Sequence, residues 1–296
     1  MTLRPLATLL RITLREWWND NTFRLAAALA FYTVFSLAPV VGIAILLAGI
    51  FFGPGHADEE IIGQIEALIG PQGGAAVRQI TAGFEDTQGT GALIVAFATL
   101  ILGSTMIFAE LQSALNQIWD VKPDPKHRFW RSLLRSRTRS FALVLGTGFL
   151  LLVSLVLSAA LSGAERYLHR ALDWPWLWRG LHLLTSLIVV TMLFAMIYRY
   201  LPDVFLRWSD VAVGAIVTAV LFTAGKYLIG IYLGQFAIGS MYGAAGSFAV
   251  LLIWVYYSAL ICFFGAEFTQ VYARRYGSRI RPEPHAVRIG EKTDRL

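Results

Sequence analysis

The sequence predicts an all-α, polytopic membrane protein of six transmembrane helices with both termini in the cytoplasm. Its residues are 56% hydrophobic and 15% charged, whereas soluble domains carry about 25% charged residues. The apolar residues are clustered, since Leu25–Gly53 has no charged residue or histidine over 29 positions. About 20 apolar helical residues cross a bilayer core of roughly 30 Å. These features exclude an ordinary soluble enzyme.

Six apolar runs are long enough to span a membrane. They are longer than barrel strands and do not alternate polar with apolar residues, so helices are the structure that satisfies their backbone in lipid. The predicted spans are Leu25–Phe52, Gly91–Trp119, Ser140–Ser162, Gly180–Leu201, Val211–Leu233 and Ser247–Ala273.

The orientation follows from the distribution of lysine and arginine. Of the 25 basic residues, 20 fall on the side of the termini and 4 on the other side, and Lys226 lies within a span. Loops rich in lysine and arginine stay in the cytoplasm. We therefore expect a multi-pass membrane protein with both termini on the cytoplasmic side. Its predicted parts are a cytoplasmic segment (1–24), a six-helix domain (25–273) with outer loop 54–90 and basic cytoplasmic loop 120–139, and a basic cytoplasmic tail (274–296).

The first span is too long for a straight helix perpendicular to the membrane. At the usual helical rise the 29-residue run Leu25–Gly53 would extend about 44 Å, against roughly 30 Å of hydrocarbon. Pro39 in its middle removes a backbone donor and frees the carbonyl one turn earlier. We expect a kinked, tilted helix with Pro39 as a hinge candidate, and a fixed packing shape is the alternative.

The first outer loop, 54–90, is long and acidic. Within it Ile61, Ile62, Ile65, Leu68 and Ile69 follow a helical stripe, which predicts short amphipathic helices. These helices either cap the spans on the outer face or rest in the membrane interface. This loop is the surface that a periplasmic partner would contact.

The basic loop "KPDPKHRFWRSLLRSRTR" has two interpretations. One is an RNA-binding segment, and the other is an anchor to anionic lipid headgroups at the cytoplasmic face. Trp119 lies just before the loop and Trp130 lies within it, as expected for an aromatic belt at the membrane interface. We adopt the lipid interpretation and expect no nucleic-acid partner.

Three ionisable residues lie inside predicted spans, namely Glu110, Lys226 and Glu267. Such residues are costly in lipid and are functional candidates by default. Both glutamates lie about 10–13 Å inside the cytoplasmic boundary at the helical rise, and Lys226 lies about 22 Å from it. We expect Lys226 either to extend toward the outer surface or to line a cavity open to that side.

The two glutamates have two interpretations. They line the inner half of a shared substrate path, or Glu267 pairs with Arg24 or Arg274 and fixes the packing. Polar side chains proposed to line the same path, with Glu110, Glu267 and Lys226, are Tyr32, Ser36, Asn116, Gln117, Tyr242, Tyr256 and Gln270.

Several stretches resemble the YihY/BrkB family of bacterial inner-membrane proteins. They are "LAAALAFYTVFSLAPV", "LNQIWDV", "LPDVFLRWSDVAVGAIVTAVLF" and "MYGAAGSFAVLLIWVYYSALICFFGAEFTQVYARRYG". The resemblance implies six spans and a location in the bacterial inner membrane. It also implies links to virulence and serum resistance, or to export of lipid-like material. An old ribonuclease label of the family is widely regarded as a misassignment.

No enzyme chemistry is visible in the residues. The five histidines are scattered without metal-ligand spacing, and there is no P-loop or GxSxG motif. We expect no catalytic residue, metal or cofactor, and we reject the ribonuclease interpretation. The predicted function is a carrier or exporter of an amphiphilic or lipid-like anionic substrate. The alternative is a membrane scaffold that binds an envelope partner, and a homo-oligomer is left open.

Overall fold

The protein is described by a computed structural model. The described residues are 3–33, 106–124, 175–235, 246–277 and 280–289, with the single positions 63, 146, 150, 153, 154, 157, 161, 163 and 165. The chain divides into two compact units. Unit 1 comprises Met1–Glu16, Leu115–Leu221 and Phe264–Leu296, and unit 2 comprises Trp17–Ala114 and Phe222–Phe263.

Helices account for most of the described residues. In chain order they are α1 (Leu3–Asn19), α2 (22–33), α3 (106–118), α4 (Pro175–Tyr200), α5 (Trp208–Gln235) and α6 (Gly246–Arg275). For α2 and α3 these bounds cover the described part of each helix.

Three of these helices are long and apolar enough to cross a membrane. The candidate spans are Trp176–Tyr200, Trp208–Tyr232 and Ala249–Arg275. They match the fourth, fifth and sixth predicted spans, and the first three predicted spans lie largely outside the described residues. The buried share rises from 22% in α4 through 33% in α5 to 44% in α6. Among these three described helices, α6 is therefore the most buried and α4 the least.

The ends of these helices follow local sequence rules. Helix α4 begins at Pro175, before the predicted boundary at Gly180. Proline is favoured in the first turn because its missing N–H would have had no helical acceptor. Helix α5 carries Asp210 in its first turn, where a carboxylate is stabilised by the positive end of the helix dipole.

The segment 1–24, predicted only as a cytoplasmic stretch, is mostly helical. Between α1 and α2 the chain turns at Asn21, whose φ of 53° lies in the left-handed region. The Thr22 hydroxyl donates a 2.6 Å hydrogen bond to the Trp17 carbonyl and so caps α1. Asparagine tolerates this backbone conformation better than most residues, which explains its place at the junction.

The all-α prediction missed four short strands in the connections of unit 1. Strand β1 (Val121–Pro123) pairs antiparallel with β4 (Ala286–Arg288), and Val121 lies opposite Arg288. Strand β2 (Val204–Phe205) pairs antiparallel with β3 (Arg281–Pro282). The tail after α6 is therefore fastened both to the segment that follows α3 and to the loop between α4 and α5.

Within unit 1, α5 and α6 approach closely through two glycine–threonine contacts. A Cβ at Gly265 of α6 would stand 1.8 Å from Thr218 Oγ1, and one at Gly214 of α5 would stand 1.7 Å from Thr269 Oγ1. Each threonine hydroxyl donates to a carbonyl one turn earlier in its own helix, Thr218 to Gly214 and Thr269 to Gly265. Small residues at helix contacts allow such close backbone approach in membranes.

Candidate functional site

Unit 2 contains a cleft between the second half of α5 and the first half of α6. It is shallow and has no interior space large enough for a water molecule. Its wall is mostly aromatic and aliphatic, with one ammonium group and the two hydroxyl groups of a tyrosine and a serine. The lining residues are Phe222, Lys226, Ile229, Trp254, Tyr257, Ser258 and Ile261.

Lys226 is the charged group of this cleft. Its side chain is partly buried, and its Nζ lies 5.6 Å from the centroid of the Tyr227 ring, within range of a cation–π contact. Trp254 meets Phe222 edge-to-face at 5.8 Å. The wall of the cleft is therefore mainly apolar, and Lys226 is the one cationic side chain that lines it. Lys226 thus lines a cleft, and its expected position toward the outer side of the membrane stays a prediction.

The two glutamates predicted to share a cavity belong to different units. Glu267 lies on α6 in unit 1 with a fully buried side chain. Glu110 lies on α3 in unit 2 and is partly buried. Their common path remains a prediction. Arg274, one of the two arginines considered as a partner of Glu267, donates to the carboxylate of Asp120.

Two of the predicted path residues make hydrogen bonds to the connections of unit 1. The Asn116 amide donates 2.8 Å to Asp203 Oδ2 and accepts 2.8 Å from the Asp203 backbone N–H. The Gln270 amide donates to the Ile118 carbonyl and lies 3.4 Å from Asp120 Oδ2. Both side chains therefore stabilise the ends of helices.

A second polar cluster forms where β2 and β3 meet. Asp203, Glu283 and His285 each offer one metal-ligating atom, and these atoms lie within 4.8 Å of one another. His285 Nε2 is 3.1 Å from Asp203 Oδ1, and His285 Nδ1 is 3.5 Å from Glu283 Oε2. The Asp203 side chain is only 5% exposed. These three residues are able to hold a cation.

The other predicted residues are distributed as follows. Tyr32 is partly buried on α2, and its ring meets Phe31 edge-to-face at 5.8 Å. Gln117 on α3 and Tyr256 on α6 are also partly buried. Three residues lie outside the described parts of the chain, namely Ser36, Tyr242 and the hinge candidate Pro39. The predicted outer-loop helices also lie outside, since only Gly63 of loop 54–90 is described.

Comparison with known families identifies the type of protein. A family model described as "Virulence factor BrkB" matches residues 13–290. The chain belongs to this family. The predicted resemblance to the YihY/BrkB family is confirmed, and this BrkB-family chain is a membrane protein.

Curated relatives of the BrkB-family chain carry the name "UPF0761 membrane protein". The relative from Chromobacterium violaceum is 28% identical over 96% of this chain and 66% of its own length. The Vibrio campbellii relative is 28% identical over 88% of this chain and 81% of its own. The Tolumonas auensis relative is 30% identical over 57% of this chain and 54% of its own. The chain thus covers less than two thirds of two of these relatives, and no solved structure matches it significantly.

Sequence reasoning missed the cluster of Asp203, Glu283 and His285. The histidines were compared by their spacing along the chain, but Asp203 stands 82 residues before His285. The signal in the sequence is the tripeptide Glu283–Pro284–His285, which places two ligand-type side chains around a proline in the tail of this BrkB-family protein.

Proposed function

We propose that the protein is a carrier that moves an amphiphilic, lipid-like anion across the bacterial inner membrane. The observation that carries this proposal is the cleft of unit 2, where Lys226 is the one cationic group within a wall of aromatic and aliphatic side chains. Lysine side chains within spans are rare and often mark a substrate path. An anionic headgroup bound at the cleft would interact with the Lys226 ammonium group.

The surroundings of the cleft favour a lipid over a soluble solute. The cleft has no interior space for a water molecule, so it is not a site that encloses a whole small molecule. A headgroup would rest against Lys226 from outside the cleft, with its acyl chains on the helix surface. On the same part of α5, Leu228 is 64% exposed and Ile231 is 57% exposed. These apolar side chains offer a surface along which acyl chains would lie.

The two glutamates complete the proposed path. We assign Glu110 and Glu267 to its cytoplasmic half. The full burial of Glu267 supports a special role, because a carboxylate on a spanning helix must be compensated by polar surroundings or by a proton. In a carrier of anions, carboxylates that take up and release protons would couple proton movement to the passage of the anion.

The proposed orientation places both termini in the cytoplasm. It is supported by the pairing of β1 with β4 and of β2 with β3, because three segments assigned to the cytoplasm from their basic residues meet in unit 1. The same side would contact anionic headgroups through its lysines and arginines. The scaffold alternative depends on outer loop 54–90, of which the structure describes only Gly63.

The test is a lipid-movement assay with the purified full chain in liposomes. The probes are fluorescent phosphatidylglycerol, which is anionic, and fluorescent phosphatidylcholine, which is zwitterionic. Dithionite destroys the fluorophores of the outer leaflet, so further loss reports movement from the inner leaflet. We expect the protein to accelerate loss of the anionic probe more than that of the zwitterionic probe. Rates equal to those of protein-free liposomes for both probes would support the scaffold instead.

A further inference from the structure

Beyond the carrier function, the structure points to a metal site in the connections of unit 1. We propose that Asp203, Glu283 and His285 bind one divalent transition-metal ion of the Zn²⁺ or Mn²⁺ type. Their ligand atoms already lie within 4.8 Å of one another. Asp203 comes from the loop after α4, and the other two residues come from the tail after α6, so an ion would join two distant parts of the chain.

The tail holds its two ligands in a tight turn. The Ala286 N–H donates 2.9 Å to the Glu283 carbonyl, which closes a four-residue turn with Pro284 at its second position. Proline at this position sets the backbone angle that the turn requires. Before the turn, β3 pairs with β2, and after the turn, β4 pairs with β1. Glu283 and His285 are therefore held on a braced backbone.

Asp203 is held as firmly from the other side. Asn116 donates to its Oδ2 at 2.8 Å and accepts from its backbone N–H. The Glu283 N–H donates 3.0 Å to the Asp203 carbonyl. With Oδ2 bound in this way, Oδ1 faces His285 Nε2. An outer partner that orients a ligating carboxylate is a recurring feature of metal sites.

The donor chemistry selects the class of ion. Ions that bind nitrogen and oxygen at about 2.0–2.2 Å in a tetrahedron set neighbouring donors about 3.3–3.6 Å apart. The 3.1 Å between His285 Nε2 and Asp203 Oδ1 is close to this range, whereas Glu283 Oε2 lies 3.5 Å from the other ring nitrogen, Nδ1. Because one ion takes one imidazole nitrogen, the longer Glu283 side chain must turn toward the Asp203 side. Imidazole with carboxylates suits Zn²⁺ or Mn²⁺, whereas Mg²⁺ prefers oxygen ligands and water.

Burial makes a cation at this site favourable. The side chains of His285 and Glu283 are 12% and 13% exposed, so two carboxylates stand close together with little water. A dication bound between them would interact favourably with both carboxylates, because charge interactions are stronger where little water is present.

The test uses the full chain in detergent after removal of metals with EDTA. Equilibrium dialysis against Zn²⁺, with metal counted by mass spectrometry, should give one Zn²⁺ per chain. Asp203→Asn and His285→Gln should each weaken binding at least tenfold. His182→Gln is the matched control, because His182 also lies near one carboxylate, 3.7 Å from Glu165, and this change should leave binding intact.

A second measurement uses only the unaltered protein and so does not depend on the folding of variants. Co²⁺ bound by imidazole and carboxylates has a visible absorption band, and Zn²⁺ should displace it with the same stoichiometry. Equal Zn²⁺ binding by the unaltered chain and by His285→Gln would overturn the proposal. Absence of both Zn²⁺ and Co²⁺ binding would also overturn it and would leave His285 as a hydrogen-bonded bridge between two carboxylates.

Discussion

His285 Nε2 lies 3.1 Å from Asp203 Oδ1, although 82 residues separate the two along the chain. This contact is accompanied by strand pairing on both sides of it, β2 with β3 and β1 with β4. The tail of the protein is thus an integral part of unit 1 and fixes the loop between α4 and α5.

The first prediction concerns Asp203, whose carboxylate and backbone both bind Asn116. Asp203→Ala should lower the free energy of unfolding by about 1–3 kcal/mol, because a buried amide loses its partner. Thermal unfolding followed by tryptophan fluorescence in detergent measures this change. Lys122→Ala, on an exposed side chain of β1, is the control. Equal melting temperatures for the two variants would contradict the buried role of Asp203.

The second prediction tests the strand register in the tail. In a chain with Cys262→Ala, the pair Val121→Cys and Arg288→Cys should form a disulfide on mild oxidation, since these positions lie opposite each other. The pair Val121→Cys and Val287→Cys should not, because neighbouring residues of a strand point to opposite faces. Mass spectrometry of peptides after thiol alkylation distinguishes the two pairs. Efficient cross-linking of the second pair would show a different register.

The third prediction concerns the close contact of α5 with α6. Gly265→Ala would place a methyl group 1.8 Å from Thr218 Oγ1 and 2.5 Å from the Tyr198 hydroxyl. Overpacking of this kind costs about 1–3 kcal/mol, so the variant should unfold at lower temperature. Gly180→Ala is the control, since nothing lies within 4 Å of its Cβ position.

A double variant tests the cause of that loss. Adding Thr218→Ala to Gly265→Ala removes the nearest hydroxyl and should restore part of the lost stability, although Thr218 Cβ remains 2.8 Å from the new methyl group. If Gly265→Ala unfolds at the same temperature as Gly180→Ala, the two helices do not approach as closely as described.

The sequence predicted the spanning helices because their signal is composition over a long window. Helices α4, α5 and α6 each carry a run of 25 or more apolar-rich residues, and such runs have few other structures in a bilayer. Strands of two or three residues carry no comparable pattern. For this reason β2 and β3 were missed, although β2 directly follows Asp203 and β3 directly precedes Glu283.

The sequence singled out the charged residue of the candidate site but not the residues that surround it. Lys226 was identified because a cation within an apolar run is conspicuous in any sequence. Its neighbours Trp254 and Ser258 were not, since ordinary helix packing uses the same residue types. Asn116 and Gln270 were assigned to a substrate path from their helix faces, and their hydrogen bonds to Asp203 and Ile118 depend on tertiary contacts that helical periodicity does not encode.

The central claim is that Lys226 recognises the anionic headgroup of a transported lipid. Its most direct test is the ratio of movement rates for fluorescent phosphatidylglycerol and phosphatidylcholine, measured for Lys226→Gln, Lys226→Arg and the control Lys122→Gln. One charged contact of about 1.4 kcal/mol changes a rate or affinity about tenfold. We predict that Lys226→Gln lowers the ratio by about that factor, and that Lys226→Arg and Lys122→Gln retain it. An unchanged ratio in Lys226→Gln, with protein-dependent movement intact, would contradict the claim.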